Sequence, residues 1–424
     1  MALIDEAKLV NIPSGYKAGT LFSVLPNTAA GDFDVARNSV ANRVNSDIEL
    51  QEMAVNVPRI QYDSGVTCPY LILEPQRTNL LTYPVSFDNA YWTKPGATID
   101  DNGGAGYSAP HADSPLDVSA FKLVESSGGT THYQFSGSVS FTSGNTYSSS
   151  IYAKKGERTW LQITSGNTTT YAIDAYFDLD NGVIGTVGFG TATITPMEDG
   201  WYRCTVTGTA GATTGTSLLT YLAEADNDNS YSGDGTSGAY LAFAQLEEGA
   251  YPTSFAYSIA GGEGATTTRL ADVIDGAGAA ATFNSVEGVY YLEIAALADD
   301  GTNRVTSISD GTNNNSIILY YSSVSNQIKT IVTVGTVAVA NMSYTVTDET
   351  EFHKAAVRWK VNDFSLWVDG VERATDTSGV SFAADTLDEL AFEEGGSGAD
   401  FYGKCRELDV FEYLTDAQMA ELTT

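Results

Sequence analysis

The chain has 424 residues, and its 53 Asp and Glu against 21 Lys and Arg give a formal net charge of −32 at pH 7. This length predicts two or three domains. The acidic balance disfavours nucleic-acid binding, which needs a basic surface, and attachment to an anionic membrane. Only 17% of the residues are charged, while Gly, Ser, Thr, Asn and Tyr are abundant, as is typical of turn-rich β-sandwiches.

The chain start carries no cationic segment followed by an apolar run, and no run of about 18 apolar residues occurs anywhere. The sequence therefore predicts neither a secretory signal nor membrane insertion, and we expect synthesis in a cytoplasm. The cysteines Cys68, Cys204 and Cys405 are odd in number and far apart. They predict small buried side chains and no disulfide framework.

Residues 1–82 lack strong periodicity and contain the phrases "DVARNSVANRVNS" and "LILEPQRTNLL". Such a stretch is typical either of a linker or of a segment that becomes ordered against a partner.

Residues 83–258 alternate apolar and polar side chains in segments such as "YAIDAYFDLDNGVIG" and "WYRCTVTG", separated by Gly, Asn and Asp turns. Regular strands without a helical stretch predict an antiparallel β-sandwich of the jelly-roll kind. In "WYRCTVTG", alternation places Cys204 on the core face and Trp201 with Arg203 on the other face.

Residues 259–285, beginning near "GGEGATTTR", have the composition of a linker, and a second series of strands follows in residues 286–424. The predicted fold class is therefore all-β, with two sandwiches in tandem after an irregular N-terminal segment. Asp369-Gly370 predicts a type I′ hairpin turn. Thr415 and Gln418 predict the capping box of one short C-terminal helix.

Two groups of phrases resemble known families. "FHKAAVRWKVNDFSLWVDGVERATDTSG" and the closing "FYGKCRELDVFEYLTDAQMAEL" resemble the concanavalin-A-like, laminin-G-like jelly rolls, over residues 286–424. "LILEPQRTNLL" and "QLEEGAYPTSF" look like recurring phrases of tailed-phage virion proteins, in which a carbohydrate-module-like jelly roll lies between them. The resemblance implies a tail fibre, head fibre or similar appendage that contacts host-surface glycan.

The same resemblance implies the partners. Residues 1–82 would attach the protein to other virion proteins, and the particle surface would be its location. Such fibres are homo-oligomers, with a trimer favoured, and several weak sugar contacts would then act together.

Sugar binding would use exposed aromatic rings flanked by polar side chains. Three sets of residues fit this description, although a core position is the alternative for each aromatic ring. They are Trp160 with Arg158 and Gln162, Trp201 with Arg203, and Tyr133 beside His132 and Gln134.

The loop "AEADNDNSYSGDG" offers Asp226, Asp228 and Asp234 as oxygen ligands for Ca²⁺. The EF-hand pattern fails, because the sixth residue from Asp226 is Tyr231 where that pattern needs Gly. A solvated turn is the favoured interpretation, with Ca²⁺ as the alternative.

The segment "ELDVFE" resembles the catalytic strand of laminarinase-type glycoside hydrolases, with Glu407, Asp409 and Glu412 as its carboxylates. A retaining glycosidase needs two carboxyl groups about 5 Å apart. In a regular strand Glu407 and Asp409 share a face, while Glu412 points the opposite way unless a bulge intervenes. We therefore expect a core strand and no enzyme, with a polysaccharide depolymerase as the least favoured hypothesis and a purely structural capsid or collar component as the main alternative.

Overall fold

The computed structural model describes residues 3–112, 119–165, 172–257, 262–396 and 398–424. These residues form antiparallel β-sheets arranged as two sandwiches, with one short α-helix near the C-terminus. The predicted all-β fold class is confirmed. Among the described residues, no helix combines the length and the apolar character needed to span a bilayer.

The secondary-structure elements follow in chain order. The short strands before residue 83 are β1 (Ala7–Asn11), β2 (Tyr16–Lys17), β3 (Thr20–Leu21), β4 (Phe33–Ala36), β5 (Ala41–Val44), β6 (Leu50–Met53), β7 (Ile60–Gln61), β8 (Tyr70–Ile72) and β9 (Arg77–Asn79). The next strands are β10 (Ala97–Asp100), β11 (Phe121–Glu125), β12 (Tyr133–Phe135), β13 (Val139–Phe141), β14 (Thr146–Lys155), β15 (Trp160–Ser165), β16 (Asp174–Asp178), β17 (Val183–Phe189), β18 (Thr191–Pro196), β19 (Trp201–Thr209), β20 (Thr214–Thr216), β21 (Leu218–Ala223) and β22 (Gly238–Glu248).

The remaining elements belong to the second half of the chain. They are β23 (Thr267–Arg269), β24 (Val273–Asp275), β25 (Gly288–Ala296), β26 (Arg304–Ser309), β27 (Ser316–Tyr321), β28 (Gln327–Val334), β29 (Val337–Thr345), β30 (His353–Trp359), β31 (Phe364–Val368), β32 (Val371–Asp376), β33 (Glu389–Ala391), β34 (Gly403–Phe411) and helix α1 (Asp416–Leu422). Short 3₁₀ turns lie at Leu3–Glu6, Ala29–Gly31, Asn102–Gly104 and Glu198–Gly200.

The first sandwich packs a six-stranded sheet on a five-stranded sheet. The strand orders are β10-β11-β22-β14-β19-β18 and β12-β21-β15-β16-β17. Alternate residues of the inner strands fill the core, for example Ile151 of β14 and Ile163 of β15. On β19, Cys204 and Val206 face this core, as the alternation predicts.

The second sandwich packs an eight-stranded sheet on the five-stranded sheet β29-β28-β27-β26-β33. The larger sheet runs β32-β31-β30-β25-β34-β8-β7, and β1 also pairs with β34. The predicted hairpin joins β31 to β32, with Asp369 and Gly370 at φ 50° and 76°. Positive φ at both turn residues is what a type I′ turn requires.

The N-terminal segment is built into the second sandwich. β1 runs antiparallel along β34, and β8 continues along the same edge of that strand. Leu9, Phe33 and Leu71 are buried in the second core. In the stretch 259–285, β23 pairs with β9 and β24 pairs with β4. Strands this short carry too little periodicity to be recognised from the sequence.

A buried ion cluster joins the N-terminal segment, the end of the first sandwich and the start of the second. Arg59 contacts Glu74 at 2.6 Å and also Asp272, and Arg37 contacts Asp272 at 3.0 Å. Ser254, from the phrase "YPTSF", donates its hydroxyl to Glu74 at 2.6 Å. Glu74 comes from "LILEPQRTNLL", so the two phrases meet at one point of the structure.

Electrostatics keeps this cluster ionised. Burial alone would raise the pKa of Glu74, but Arg59 and Arg269 outweigh it and hold that pKa well below its usual range. A buried charge whose partner is removed costs about 3–5 kcal/mol. Removing any one member of the cluster should therefore weaken the packing of the three parts against one another.

The end of the chain folds as its sequence predicts. The Thr415 side chain accepts a hydrogen bond from the Gln418 amide, and the Gln418 side chain accepts one from the Thr415 amide at 3.0 Å. Cys204 and Cys405 are buried, which is as expected, whereas Cys68 is exposed, so that part of the cysteine prediction is wrong.

Candidate functional site

Four strands of the five-stranded sheet bring one residue each into a single row. The register pairs Tyr133 of β12 with Tyr221 of β21, then Tyr221 with Gln162 of β15, and Gln162 with Tyr176 of β16. Neighbouring residues such as Leu161 point into the core. Because side chains alternate along a strand, the row lies on the outer face of the sandwich.

The β12 end of this row is aromatic and partly open to solvent. Tyr133 and Tyr221 are both half-buried, and their rings stack with centroids 4.3 Å apart and an interplanar angle of 17°. Phe135 lies beside Tyr133 at 6.1 Å, and Leu219 is its cross-strand partner. A shallow depression of about 280 Å³ opens beside them, and its lining consists of Tyr133, Phe135, Leu219, Ser138, Gly215, Thr216 and Ser217. We call Tyr133, Phe135, Leu219 and Tyr221 the aromatic platform.

Gln162 occupies the polar centre of the same face. Its Nε2 donates to Asp174 Oδ1 at 2.6 Å, and its Oε1 accepts from Asn229 Nδ2 at 2.6 Å. Burial raises the pKa of Asp174. Gln162 is only 7% exposed. It therefore holds the loop around Asn229 onto the sheet, and its own polar atoms point at protein groups.

Trp160 and Arg158 lie at the far end of the face. Trp160 is half-buried, and β17 passes so close that a Cβ on Gly185 would lie 2.6 Å from the Trp160 ring. Arg158 donates hydrogen bonds from Nε and Nη2 to Glu125, at 2.6 and 2.8 Å, and from Nη1 to Glu224 at 3.1 Å. Its donors are thus directed at two carboxylates of the protein.

Trp201 and Arg203 lie on the six-stranded sheet, on the face turned away from the first core. Trp201 is 2% exposed and packs with Phe243 and Phe255 in a separate apolar cluster. The expectation of an exposed ring at this position is not met, because Leu50 and its neighbours in the N-terminal segment pack in the same cluster. Arg203 is half-buried and donates to the Thr253 carbonyl oxygen.

The acidic loop carboxylates are held by local hydrogen bonds. Asp226 accepts from the Thr186 amide at 2.6 Å and from its hydroxyl at 2.9 Å. Asp234 accepts from the amides of Thr236 and Ser237 within its own turn, and Asp228 is exposed. Within the described ranges, no three His, Cys, Asp or Glu side chains form a group that could hold a metal ion. Ca²⁺ binding at these residues stays a prediction.

The carboxylates of "ELDVFE" are separated by the strand. Leu408 and Val410 face the second core, as expected, so Glu407 and Asp409 share the outer face. Glu412 lies beyond the end of β34, is exposed and pairs with Lys8 at 2.9 Å. The Glu412 carboxylate is thus directed at Lys8 and not at Glu407, as a retaining pair about 5 Å apart would need.

Strand β34 is irregular near its middle, which its sequence does not indicate. A bulge lies between Cys405 and Glu407, opposite Glu293 and Ile294 of β25. Asp409 is 3% exposed, and burial followed by the charge of Glu407 raises its pKa to about 8. One Asp409 oxygen is buried without a hydrogen-bond partner among the described residues.

The sequence identifies Tyr133 and Gln162 as candidates but not the four other members of their row and platform, namely Phe135, Tyr176, Leu219 and Tyr221. The alternation in "SLLTYLAEADN" marks Leu219 and Tyr221 as sharing a face. It does not say which strand lies beside them, because register between distant strands is set by the whole fold.

Comparisons with known proteins find distant structural likenesses. No family model and no curated protein matches the chain. The carbohydrate-binding module CBM40 of a Ruminococcus gnavus IT-sialidase matches 33% of this chain and 84% of its own at 14% identity and TM-score 0.28. Domains LG4-5 of the mouse laminin α1 chain match 67% of this chain and 86% of their own, at 13% identity and TM-score 0.25. Trypanosoma rangeli sialidase in complex with the inhibitor DANA matches 95% of this chain and 86% of its own, at 11% identity and TM-score 0.28. Likenesses this distant carry no argument about activity.

Proposed function

We propose that this protein binds glycan without cutting it, through the outer face of the five-stranded sheet. The observation that carries this proposal is the aromatic platform beside a shallow depression. Half-buried aromatic rings next to hydroxyls and backbone groups suit the mixed apolar and polar surface of a sugar ring. The separation of Glu407 from Glu412 supports a non-catalytic role.

We further propose that the glycan belongs to a host cell surface and that the protein is an appendage of a tailed-phage particle. The support for this setting is the resemblance of "LILEPQRTNLL" and "QLEEGAYPTSF" to virion phrases. The N-terminal segment exposes several large apolar side chains, which suits attachment to another virion protein. They are Ile4, Ile12, Phe22, Val24, Val55 and Val66.

A structural capsid or collar component is the second candidate, and one observation favours it. Strand β17 is the edge of its sheet, and Val183 and Val187 on it are 49% and 39% exposed. Exposed apolar edge strands are rare in monomers, because they invite pairing with another chain. This edge fits the expected homo-oligomer. Val187→Lys should lower the solution mass measured by analytical ultracentrifugation if the edge joins subunits.

The test of glycan binding measures retention and product release together. The purified protein is incubated with a panel of bacterial surface polysaccharides, with and without Ca²⁺. Retention without new reducing ends supports the proposal. Tyr133→Ala and Tyr221→Ala should each weaken retention about tenfold, which corresponds to about 1.4 kcal/mol.

Tyr240→Ala is the matched control, because Tyr240 is also half-buried and packs on a second tyrosine, Tyr107, at 4.9 Å. Equal losses in Tyr133→Ala and Tyr240→Ala would point to general destabilisation and contradict the platform. New reducing ends would overturn the non-enzymatic assignment. Absence of binding across the panel would leave the structural component as the better account.

A further inference from the structure

A second concave site lies where the first sandwich, the N-terminal segment and the second sandwich meet. It is a cleft of about 280 Å³. The N-terminal segment contributes Arg43 and Asp63 to its lining, the six-stranded sheet of the first sandwich contributes Thr195 and Arg203, and the second sandwich contributes Lys404. Junctions between domains are preferred positions for small-ligand sites. We call this site the junction cleft.

The charge of the cleft contrasts with that of the molecule. The chain has more than twice as many acidic as basic residues, and most of its cations are ion-paired, for example Arg59, Arg158 and Arg269. Arg43, Arg203 and Lys404 are different. None of these three has a carboxylate of the described residues within ion-pair distance.

The hydrogen bonds that hold Arg43 and Arg203 come from neutral groups, and the buried carboxylate of Glu247 acts on Arg203 only from beyond ion-pair distance. Arg43 donates Nε and Nη2 to Gln51 Oε1, at 3.0 and 2.8 Å, and Nη1 to the Ile60 carbonyl oxygen at 2.7 Å. Arg203 donates Nη2 to Ser150 Oγ at 3.2 Å, while its Nε is buried without a partner in the part of the chain described. The Lys404 ammonium lies 5.2 Å from the centroid of the Tyr70 ring.

Neutral partners orient a guanidinium without compensating its charge. Withdrawing such a charge from water is unfavourable unless an anion approaches it. Glu74 also lines the cleft, but its charge is taken up by Arg59 and Arg269. Asp63 is the other carboxylate of the lining and accepts the Tyr70 hydroxyl at 2.8 Å, so it faces three cations.

The size of the cleft and its other polar groups restrict the class of ligand that can bind there. A volume of about 280 Å³ suits a single sugar-sized ring. Thr195 is exposed and can bond ring hydroxyls, and Asp63 can accept from them. A long polyanion such as DNA is disfavoured by the net charge of −32.

We infer that the junction cleft binds an anionic saccharide unit, with Arg43, Arg203 and Lys404 facing its carboxylate or phosphate group. The ring hydroxyls then meet Thr195 and Asp63. This site is separate from the aromatic platform, so it extends the proposed function to a second site and to an acidic class of glycan.

Calorimetric titration of the full chain tests the inference with three probes. They are trigalacturonic acid, the same trisaccharide after reduction of its carboxyl groups, and glucose 6-phosphate. We expect trigalacturonic acid to bind and the reduced trisaccharide not to bind at this site. Displacement by glucose 6-phosphate identifies a site for anionic sugars in general, whereas its failure to displace identifies a carboxylate site.

Lys404→Gln is the first variant, because Lys404 contacts the Tyr70 ring and makes no hydrogen bond or ion pair with the described residues. We expect it to weaken trigalacturonic acid binding about tenfold and to flatten the salt dependence of that binding. Lys329→Gln is the matched control, since Lys329 lies on β28, outside the cleft lining. Arg203→Gln should show the same loss, with its melting curve checked for an intact fold.

The two sites can be told apart. Tyr133→Ala should leave trigalacturonic acid binding unchanged, and Lys404→Gln should leave retention of neutral glycans unchanged. The inference is overturned if both anionic probes fail to bind at millimolar concentration. It is equally overturned if the reduced trisaccharide binds as well as the acid, or if Lys329→Gln and Lys404→Gln have the same effect.

Discussion

The two sandwiches complete their cores in different ways. The first core is formed almost entirely by residues 83–257, with Leu81 at its margin. The second core takes many apolar side chains from the N-terminal segment and from the stretch around β24. The first sandwich is thus a nearly self-contained module that presents an open face, whereas the second is the body that holds distant parts of the chain together.

The outer faces of the two sandwiches also differ, because one is accessible and the other is covered. In the first sandwich, Gln162 and Asp174 satisfy each other on the sheet, and the aromatic platform beside them stays accessible. In the second, α1 covers the apolar residues of the outer face around Trp367 and Phe411. Asp409 is buried on that face with one oxygen unpartnered among the described residues. The first outer face is therefore accessible around the aromatic platform, whereas the second is covered by α1.

Separate expression of the two sandwiches should give the largest difference. Residues 83–257 alone should show a cooperative melting transition, whereas residues 286–424 alone should not fold. The second fragment lacks nine large buried side chains of its core, seven of them from the N-terminal segment, and each is worth about 1.5–3 kcal/mol. They are Leu9, Leu21, Phe33, Val35, Ile60, Leu71, Leu73, Ile274 and Phe283.

That sum is comparable to the whole stability of a domain, about 5–15 kcal/mol. Circular dichroism and calorimetry of both fragments provide the measurement. Removing residues 1–82 should therefore unfold the second sandwich. A cooperative transition in residues 286–424 would show that the two sandwiches do not differ in this way.

The next largest effect is expected at the ion cluster. Glu74→Ala removes one of the two carboxylates of the cluster and leaves Asp272 alone with three buried arginines, so it should lower the free energy of unfolding by about 3–5 kcal/mol. Urea denaturation measures this loss. Glu412→Ala is the control, since its pair with Lys8 is solvent-exposed and should be worth less than about 1 kcal/mol. Similar losses in both variants would remove the special role of the cluster.

Much of the fold could be predicted from local sequence. Period-two alternation, the Asp369-Gly370 turn and the Thr415 capping box each depend on residues within a few positions, and each is found in the structure. The pairing of β1 with β34 could not be predicted, because it joins strands about 400 positions apart and β1 has only five residues. The burial of Trp201 could not be predicted for the same reason, because the residues around Leu50 that cover it are distant in the sequence.

The candidate site was predictable only in part for the same reason. Tyr133 and Gln162 were recognised singly, and the register that joins them through Tyr221 needs the sheet order. The cations of the junction cleft, Arg43, Arg203 and Lys404, come from three separate regions. Nothing in local spacing brings them together.

The outer face of the second sandwich should make stability depend on pH. The folded-state pKa of Asp409 is about 8 because of burial and then the charge of Glu407, against about 3.9 in an unfolded chain. Between these values the folded state keeps a proton that the unfolded state has lost. The contribution of Asp409 to stability should therefore be greatest below about pH 4. As the pH rises from about 4 to about 8, this contribution should fall by at most about 1.4 kcal/mol per pH unit.

Asp409→Asn should remove this slope, because its amide stays neutral over the whole range. Urea denaturation at several pH values in this window measures the slope, with Glu412→Gln as an exposed control. An unchanged slope in Asp409→Asn would mean that Asp409 is ionised in the folded protein.

The smallest expected effect concerns the helix that covers this face. Thr415→Ala removes the side-chain acceptor of the capping box and should cost about 1 kcal/mol. The cost should appear as faster hydrogen exchange in Asp416–Leu422, because Leu414 and Met419 hold the helix against Phe411. Glycan retention through Tyr133 should not change, since that residue belongs to the other sandwich. A loss of retention in Thr415→Ala would show that the two outer faces are coupled, and the first sandwich could then no longer be regarded as an independent module.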